Sequence, residues 1–208
     1  MNYFNKDYYE NGVSSGISLY TNYKWMPDLT IPMAFRIIEI LNIKESDSIL
    51  DFGCAKGYMV KSFRMLYRDA YGVDISDYAI SNCDKEVENY LLKIEDTKNI
   101  SQFNKIFDYT ISKDVFEHIS YEYIEDTIIS LRQYSKCLFA VIPLGDGKQY
   151  YIPSYELDKT HIIKEDKDWW IDLFKKCGFK DISFEYKIKG IKENYNTIEK
   201  GNGFFILR

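Results

Sequence analysis

The rhythm of apolar and polar positions changes several times along this chain. Residues 1–30 fit neither a two-residue nor a 3.6-residue period; Tyr3, Phe4, Tyr8, Tyr9, Tyr20, Tyr23 and Trp25 stand there among glycine, serine and asparagine. The stretch reads as an arm or lid rather than a core element. From Ile31 the pattern turns helical: Met33, Ile37 and Leu41 recur every fourth residue, with Ala34 and Ile38 beside them. Pro32 suits the first turn of such a helix.

Beyond it, short apolar runs alternate with helical patterns. Runs at 48–52, 70–74, 90–94, 106–111 and 137–142 predict five strands, and 57–68, 77–90, 121–134 and 166–177 predict helices. Ser76 can cap the helix that follows it, and Gly178 can close the last helix in a left-handed conformation. Two further strands, about 181–188 and 203–208, enclose a polar loop with Gly190, Gly201 and Gly203. Lacking a helix between them, they should pair antiparallel. The alternation implies βαβ units and a parallel sheet covered on both faces, hence a doubly wound α/β fold. There is no repeat and no linker, so 31–208 reads as a single domain behind the arm at 1–30.

Composition narrows the class. The chain has 208 residues, 46% apolar and 28% charged, enough to bury a full core. A net charge of −5, with 22 Lys and 5 Arg behind the basic total of 27, argues against a nucleic-acid or anionic-membrane partner. Cys54, Cys83, Cys137 and Cys177 are widely spaced, as in a reduced protein without a CxxC site. No apolar run reaches membrane-span length, and the polar, aromatic start lacks a signal-peptide core. The expected location is the cytoplasm.

In a doubly wound sheet, ligands bind beyond the carboxyl ends of the strands. The first strand ends there in Asp51, Phe52, Gly53, Cys54, Ala55, Lys56 and Gly57, and the second ends in Gly72, Val73 and Asp74. Gly53 lets the backbone turn, Gly57 lets the next helix start close by, and Asp74 can accept both hydroxyls of a ribose. A dinucleotide site needs small residues in G-x-G-x-x-G spacing; here they fall at 53, 55 and 57. The pattern D-x-G-x-A-x-G resembles motif I of the class I S-adenosylmethionine-dependent methyltransferases, with Ala55 where the middle glycine is usual. The segments Gly72 to Ser76, Phe107 to Ile119 and Trp169 to Phe179 are similar to further motifs of that family.

The resemblance implies a seven-stranded Rossmann-like sheet in order 3-2-1-4-5-7-6 with strand 7 antiparallel, and S-adenosyl-L-methionine as cofactor, S-adenosyl-L-homocysteine as product. It also implies roles. Asp51 would orient the methionine amino group, and the loop from Gly53 through Cys54 and Ala55 to Gly57 would pass the methionine part. Asp74 would hold the ribose, Ile75 would pack on adenine, and Asp96 would face the adenine amino group. The backbone at Ser112 or Lys113 would meet the methionine end, and Tyr23 of the arm would help cover the site.

Methyl transfer is an in-line displacement in which the protein aligns the reactants and, for a hydroxyl acceptor, removes a proton. An imidazole is the natural base near neutral pH. The chain has two histidines, His118 after strand 4 and His161 after strand 5, with His161 favoured because its long segment can fold over a substrate. Glu117 can orient a ring or bind substrate. No group of residues has metal-ligand spacing, so no metal is expected. Tyr20, Tyr23 and Trp25 form one aromatic set that can cover the site; Tyr150, Tyr151 and Tyr155 form another. Ser112 to Val115 replaces the N-P-P-Y signature of base amino-methylation. The arm and the run from His161 to Trp170 are similar to bacterial enzymes of surface-sugar or capsule biosynthesis. The acceptor is therefore expected to be a small polar molecule, with a sugar hydroxyl favoured. A nicotinamide oxidoreductase and a catalytically silent cofactor-binding partner subunit are the other readings. Oligomeric state is left open.

Overall fold

The computed structural model describes residues 3–98, 100–195 and 198–208. Seven strands form one sheet: β1 (Ser48–Phe52), β2 (Asp69–Asp74), β3 (Leu91–Lys93), β4 (Phe107–Lys113), β5 (Ser135–Pro143), β6 (Ile182–Glu185) and β7 (Asn202–Leu207). Their order is β3-β2-β1-β4-β5-β7-β6. The pairs among β1 to β5 are parallel, while β7 runs antiparallel to both β5 and β6. This is the doubly wound, Rossmann-like architecture expected from the strand-helix alternation and the helix-free terminal hairpin.

Side chains alternate across the sheet. Leu50 and Phe52 of β1, with Leu138, Ala140 and Ile142 of β5, face α6 (Ile124–Tyr134) and α7 (Lys167–Lys176), where Ile128, Leu131, Trp170 and Phe174 are buried. Ile49 of β1, with Phe139 and Val141 of β5, faces α3 (Pro27–Leu41) and α4 (Tyr58–Met65) through Ala34, Ile37, Val60 and Phe63. Both faces are covered, which is why the strands carry no polar alternation. Among the described residues no helix is long and apolar enough to cross a membrane.

Three expectations about the helices need correction. Helix α3 starts at Pro27, not Ile31, so Pro32 lies inside it and Pro27 takes the first position. Second, the helix expected over 77–90 stops at Ser81: α5 is Asp77–Ser81, capped by the Ser76 side chain, and one 3₁₀ turn follows at Glu88–Tyr90. Tertiary contacts end it, because Asp84 is drawn to Lys61 at 2.9 Å and its N–H bonds the Lys56 carbonyl at 3.1 Å. Third, the arm is not wholly irregular. It forms α1 (Lys6–Glu10) and α2 (Gly12–Ser15), with the Asn5 side chain accepting from the N–H groups of Asp7 and Tyr8. Tyr8 and Tyr9, each 4% exposed, form a separate aromatic cluster with Ala79 of α5.

Candidate active site

A cavity of about 500 Å³ opens at the carboxyl ends of β1, β2 and β4, a size suited to a cofactor. Its floor is the turn after β1. Gly53 has φ +80°, and a Cβ there would lie 2.4 Å from Val115 Cγ2, so only glycine lets this backbone approach the loop after β4. Ala55 also takes a left-handed conformation, φ +49°, which costs an L-residue about 1 kcal/mol or more. The Ala55 N–H offsets that strain by donating to Asp74 Oδ2 at 2.8 Å, while the Ser76 N–H donates to Asp74 Oδ1 at 2.8 Å. Each Asp74 oxygen keeps a further lone pair towards the cavity, as ribose recognition requires. Asp51 also lines the cavity; burial and then the neighbouring Asp74 carboxylate push it up to about 7. Burial likewise raises Asp74 above the usual carboxylate range.

The other half of the cavity is built from the loop after β4 and the segment after β5. The Glu117 carbonyl accepts from both Ile162 N, at 2.7 Å, and Ile163 N, at 3.1 Å, which clamps the two segments together. The rings of His118 and His161 then meet edge to face, centroids 4.6 Å apart. His118 Nδ1 lies 2.8 Å from Thr160 Oγ1, and His161 Nδ1 lies 2.9 Å from the Tyr155 carbonyl. Burial, then the second imidazole, drives His118 down to about 4, and burial lowers His161 as well, so both rings are neutral. Glu117 is fully buried and, among the described residues, neither carboxyl oxygen has a hydrogen-bond partner; burial, then Asp114, raises it well above its ordinary range. Asp114 is held low, against the effect of its own burial, by the ammonium groups of Lys113 and Lys192 that bond it.

The arm roofs both halves. Lys56, in the turn after β1, bonds Glu10 at 2.5 Å and the Tyr23 carbonyl at 3.0 Å, while Ser76 Oγ donates to the Phe4 carbonyl at 2.6 Å. On the other side the Tyr8 hydroxyl donates to Asp158 Oδ2 at 3.1 Å, and Lys159 N bonds the Ile17 carbonyl at 2.8 Å.

Asp51, Gly53, Cys54, Ala55, Asp74, Ile75, Lys113, Tyr23, His118 and His161 all line the cavity, as do Glu117, Tyr20 and Tyr155. Others of the expected set do not. Asp96 is exposed, and its carboxylate turns back to the Lys98 N–H at 2.8 Å; Ile94 and Thr97 line the wall in its place. Gly57, φ +79°, serves packing: its Cβ would meet Leu91 at 2.5 Å, behind the wall. Ser112 is buried within β4. Trp25 lies against Tyr58 and the Lys61 ammonium, outside the cavity. Tyr150 and Tyr151 stand behind the wall, Tyr150 donating to the Ile163 carbonyl at 2.8 Å. The sequence shows no ligand spacing, yet among the described residues one potential ligand atom from each of Glu117, His118 and His161 lies within 4.8 Å of the others. Sequence reading missed this because 161 is remote from 118 and only the clamp on the Glu117 carbonyl joins them. Asp158 and Lys192 were missed for the same reason; Asp114 lies within the motif-like run Phe107 to Ile119 but was given no role there.

A mixed, doubly wound sheet of this order, with a glycine turn and strand-end acids at its carboxyl edge, is an architecture suited to a nucleoside cofactor. Residues 32–184 match the family described as methyltransferase domain, and the chain belongs to that family, as a class I S-adenosylmethionine-dependent methyltransferase. The chain is similar in structure to an S-adenosylmethionine-dependent methyltransferase from Archaeoglobus fulgidus, at 16% identity and TM-score 0.65, over 84% of this chain and 91% of that one. Another such enzyme, from Clostridium acetobutylicum, matches at 15% identity and TM-score 0.62, over 86% and 91%. Phosphoethanolamine N-methyltransferase 2 of Haemonchus contortus, solved with S-adenosyl-L-methionine, matches at 15% identity and TM-score 0.63, over 84% of this chain and 51% of that one. These identities establish likeness of fold. None of the curated proteins compared with the chain matches it. The residues fit S-adenosylmethionine: Gly53 leaves a Cβ-free cradle, Asp74 has free lone pairs, and Asp51 can meet an ammonium.

Proposed function

We propose that this enzyme methylates a hydroxyl of a small polar acceptor, a sugar or related bacterial surface-polysaccharide precursor, in the cytoplasm and without a nucleic-acid or membrane partner. The observation that carries the reading is one cavity with two chemistries. A carboxylate-and-glycine half suits the cofactor, and a half with two neutral imidazoles suits an oxygen acceptor.

S-adenosylmethionine, when bound, supplies a sulfonium-activated methyl group. Asp74 would hold the ribose hydroxyls, Ile75 would pack on the adenine, and ionised Asp51 would attract the cofactor's ammonium. The Gly53 turn and Lys113, which line the same cavity, would hold the methionine end. His118 and His161 are the catalytic pair in this reading: both line the cavity, and a neutral imidazole lone pair can take a proton or a cation. The arm before Pro27 acts as a lid that excludes water, its aromatic faces offering Tyr20 and Tyr23 to a sugar-like acceptor.

Calorimetry with S-adenosylmethionine, S-adenosylhomocysteine and NAD, followed by methyl-transfer assays on a panel of sugar nucleotides and free sugars, tests the reading. Tight sulfonium binding with turnover on a hydroxylated acceptor is expected. Binding with no turnover on any acceptor would assign a silent partner subunit instead.

A further inference from the structure

The hydrogen bonds around the acceptor end determine where its protons sit. Thr160 Oγ1 donates its one proton to Asp158 Oδ1 at 2.6 Å. It can then only accept from His118 Nδ1, 2.8 Å away, so His118 carries its proton on Nδ1. His161 Nδ1 faces the Tyr155 carbonyl, which only accepts, so the same tautomer follows. Both Nε2 atoms therefore bear lone pairs. The third member, Glu117, is fully buried, and neither of its carboxyl oxygens has a hydrogen-bond partner among the described residues. Its Oε1 stands 4.0 Å from His161 Nε2, too far for a hydrogen bond. Asp158 Oδ2, 3.9 Å from the same nitrogen, adds negative potential. The two nearby ammonium groups, Lys113 and Lys192, bond Asp114 rather than Glu117.

We propose that Glu117, His118 and His161 bind one divalent first-row transition cation. Two imidazoles and one carboxylate are a donor set suited to zinc, manganese, iron or cobalt. A buried carboxyl without a partner is costly, and a cation removes that cost. Metal-binding imidazoles characteristically donate their other N–H to a carbonyl or a carboxylate-linked group, and here the partners are the Tyr155 carbonyl and the Thr160–Asp158 pair. Bonds of about 2.0–2.2 Å bring neighbouring donors to roughly 3.0–3.5 Å. A small inward turn of three side chains already within 4.8 Å reaches that.

The inference rests on the methyl-transfer reading and refines its acceptor. In a five- or six-coordinate shell three protein donors leave positions for two acceptor oxygens, so the class is a chelating one, a vicinal diol or a 2-hydroxy acid. Coordination lowers the O–H pKa. The oxygen's electron pair then forms the bond to the methyl carbon, the carbon–sulfur pair returns to sulfur as a neutral thioether, and the acceptor proton leaves to water.

The test titrates metal-stripped full-length protein with Co²⁺, Zn²⁺ and Mn²⁺, reading cobalt d–d bands, calorimetric stoichiometry and Tm, with a parallel S-adenosylmethionine titration. The expected result is one equivalent bound and a raised Tm, with affinity falling roughly 100-fold or more in Glu117→Gln and His161→Gln. Absence of binding at millimolar metal, or equal affinity in the wild type and both variants, overturns the site. If metal fails while S-adenosylmethionine binds, this inference alone falls; if S-adenosylmethionine does not bind, the reading beneath it falls.

Discussion

Asp74 and Glu117 are both buried carboxyls in one cavity, and they are built in opposite ways. Each oxygen of Asp74 accepts a backbone N–H from within its own turn and the turn beside it. Among the described residues Glu117 accepts none, and besides its chain neighbours Asp114 and His118 it meets His161, more than forty residues away. The first is a pre-formed socket whose ligand completes an already satisfied group. The second is a group that only an incoming ligand can satisfy. The cofactor half is thus pre-organised by local backbone, while the acceptor half stores unfavourable electrostatics that binding can relieve.

The largest test of that contrast lies in the acceptor half. His161→Ala or His118→Ala should lower turnover about 10²- to 10⁴-fold while cofactor affinity holds, measured by single-turnover rates beside calorimetry. Unchanged turnover in both variants and in their double would remove the imidazoles from the chemistry. The converse test is Asp74→Ala. Losing a charge-assisted ribose bond should weaken cofactor binding by about 1.5–3 kcal/mol, roughly 10- to 150-fold, with the acceptor KM little altered. A cofactor Kd unchanged in Asp74→Ala would show that the socket lies elsewhere.

Removing residues 1–25 should have a smaller effect. The deletion leaves Pro27 and all of α3, so cooperative unfolding should persist, with cofactor affinity falling several-fold as the roof through Glu10, Tyr23 and Phe4 is lost. A truncated chain that no longer unfolds cooperatively would make the arm part of the core.

The mildest effect is on pH dependence. Asp51 sits near 7, and only its anion attracts the cofactor's ammonium, so affinity should rise from pH 5.5 towards 7.5 and level above, a dependence absent from Asp51→Asn. Stability runs the other way. A folded pKa raised above the unfolded value favours folding fully at low pH and loses that contribution as pH rises through about 7. Ligand-free Asp51→Asn should therefore melt increasingly above the wild type between pH 5 and pH 7. A constant difference in Tm across that range would refute the raised value.

What the sequence alone determined is everything set by neighbours in the chain. The apolar runs at β1, β4 and β5 are buried on both faces and announce a parallel sheet, and the helix-free pair β6 and β7 announces the antiparallel end. Gly53, Ala55 and Asp74 were legible because a turn and a strand-end acid act through their own backbone. Tertiary structure decided what local pattern could not. It ended α5 early by drawing Asp84 to Lys61, and it turned Asp96 out to Lys98 while Ile94 and Thr97 took the wall. It also folded Tyr8 and Tyr9 of an aperiodic arm into a capped helix against Ala79. Above all it brought His161 to Glu117 and His118 through two hydrogen bonds to one carbonyl. Spacing along a chain carries no information about a contact between strand-end loops, because that contact is set by which strands the sheet places side by side.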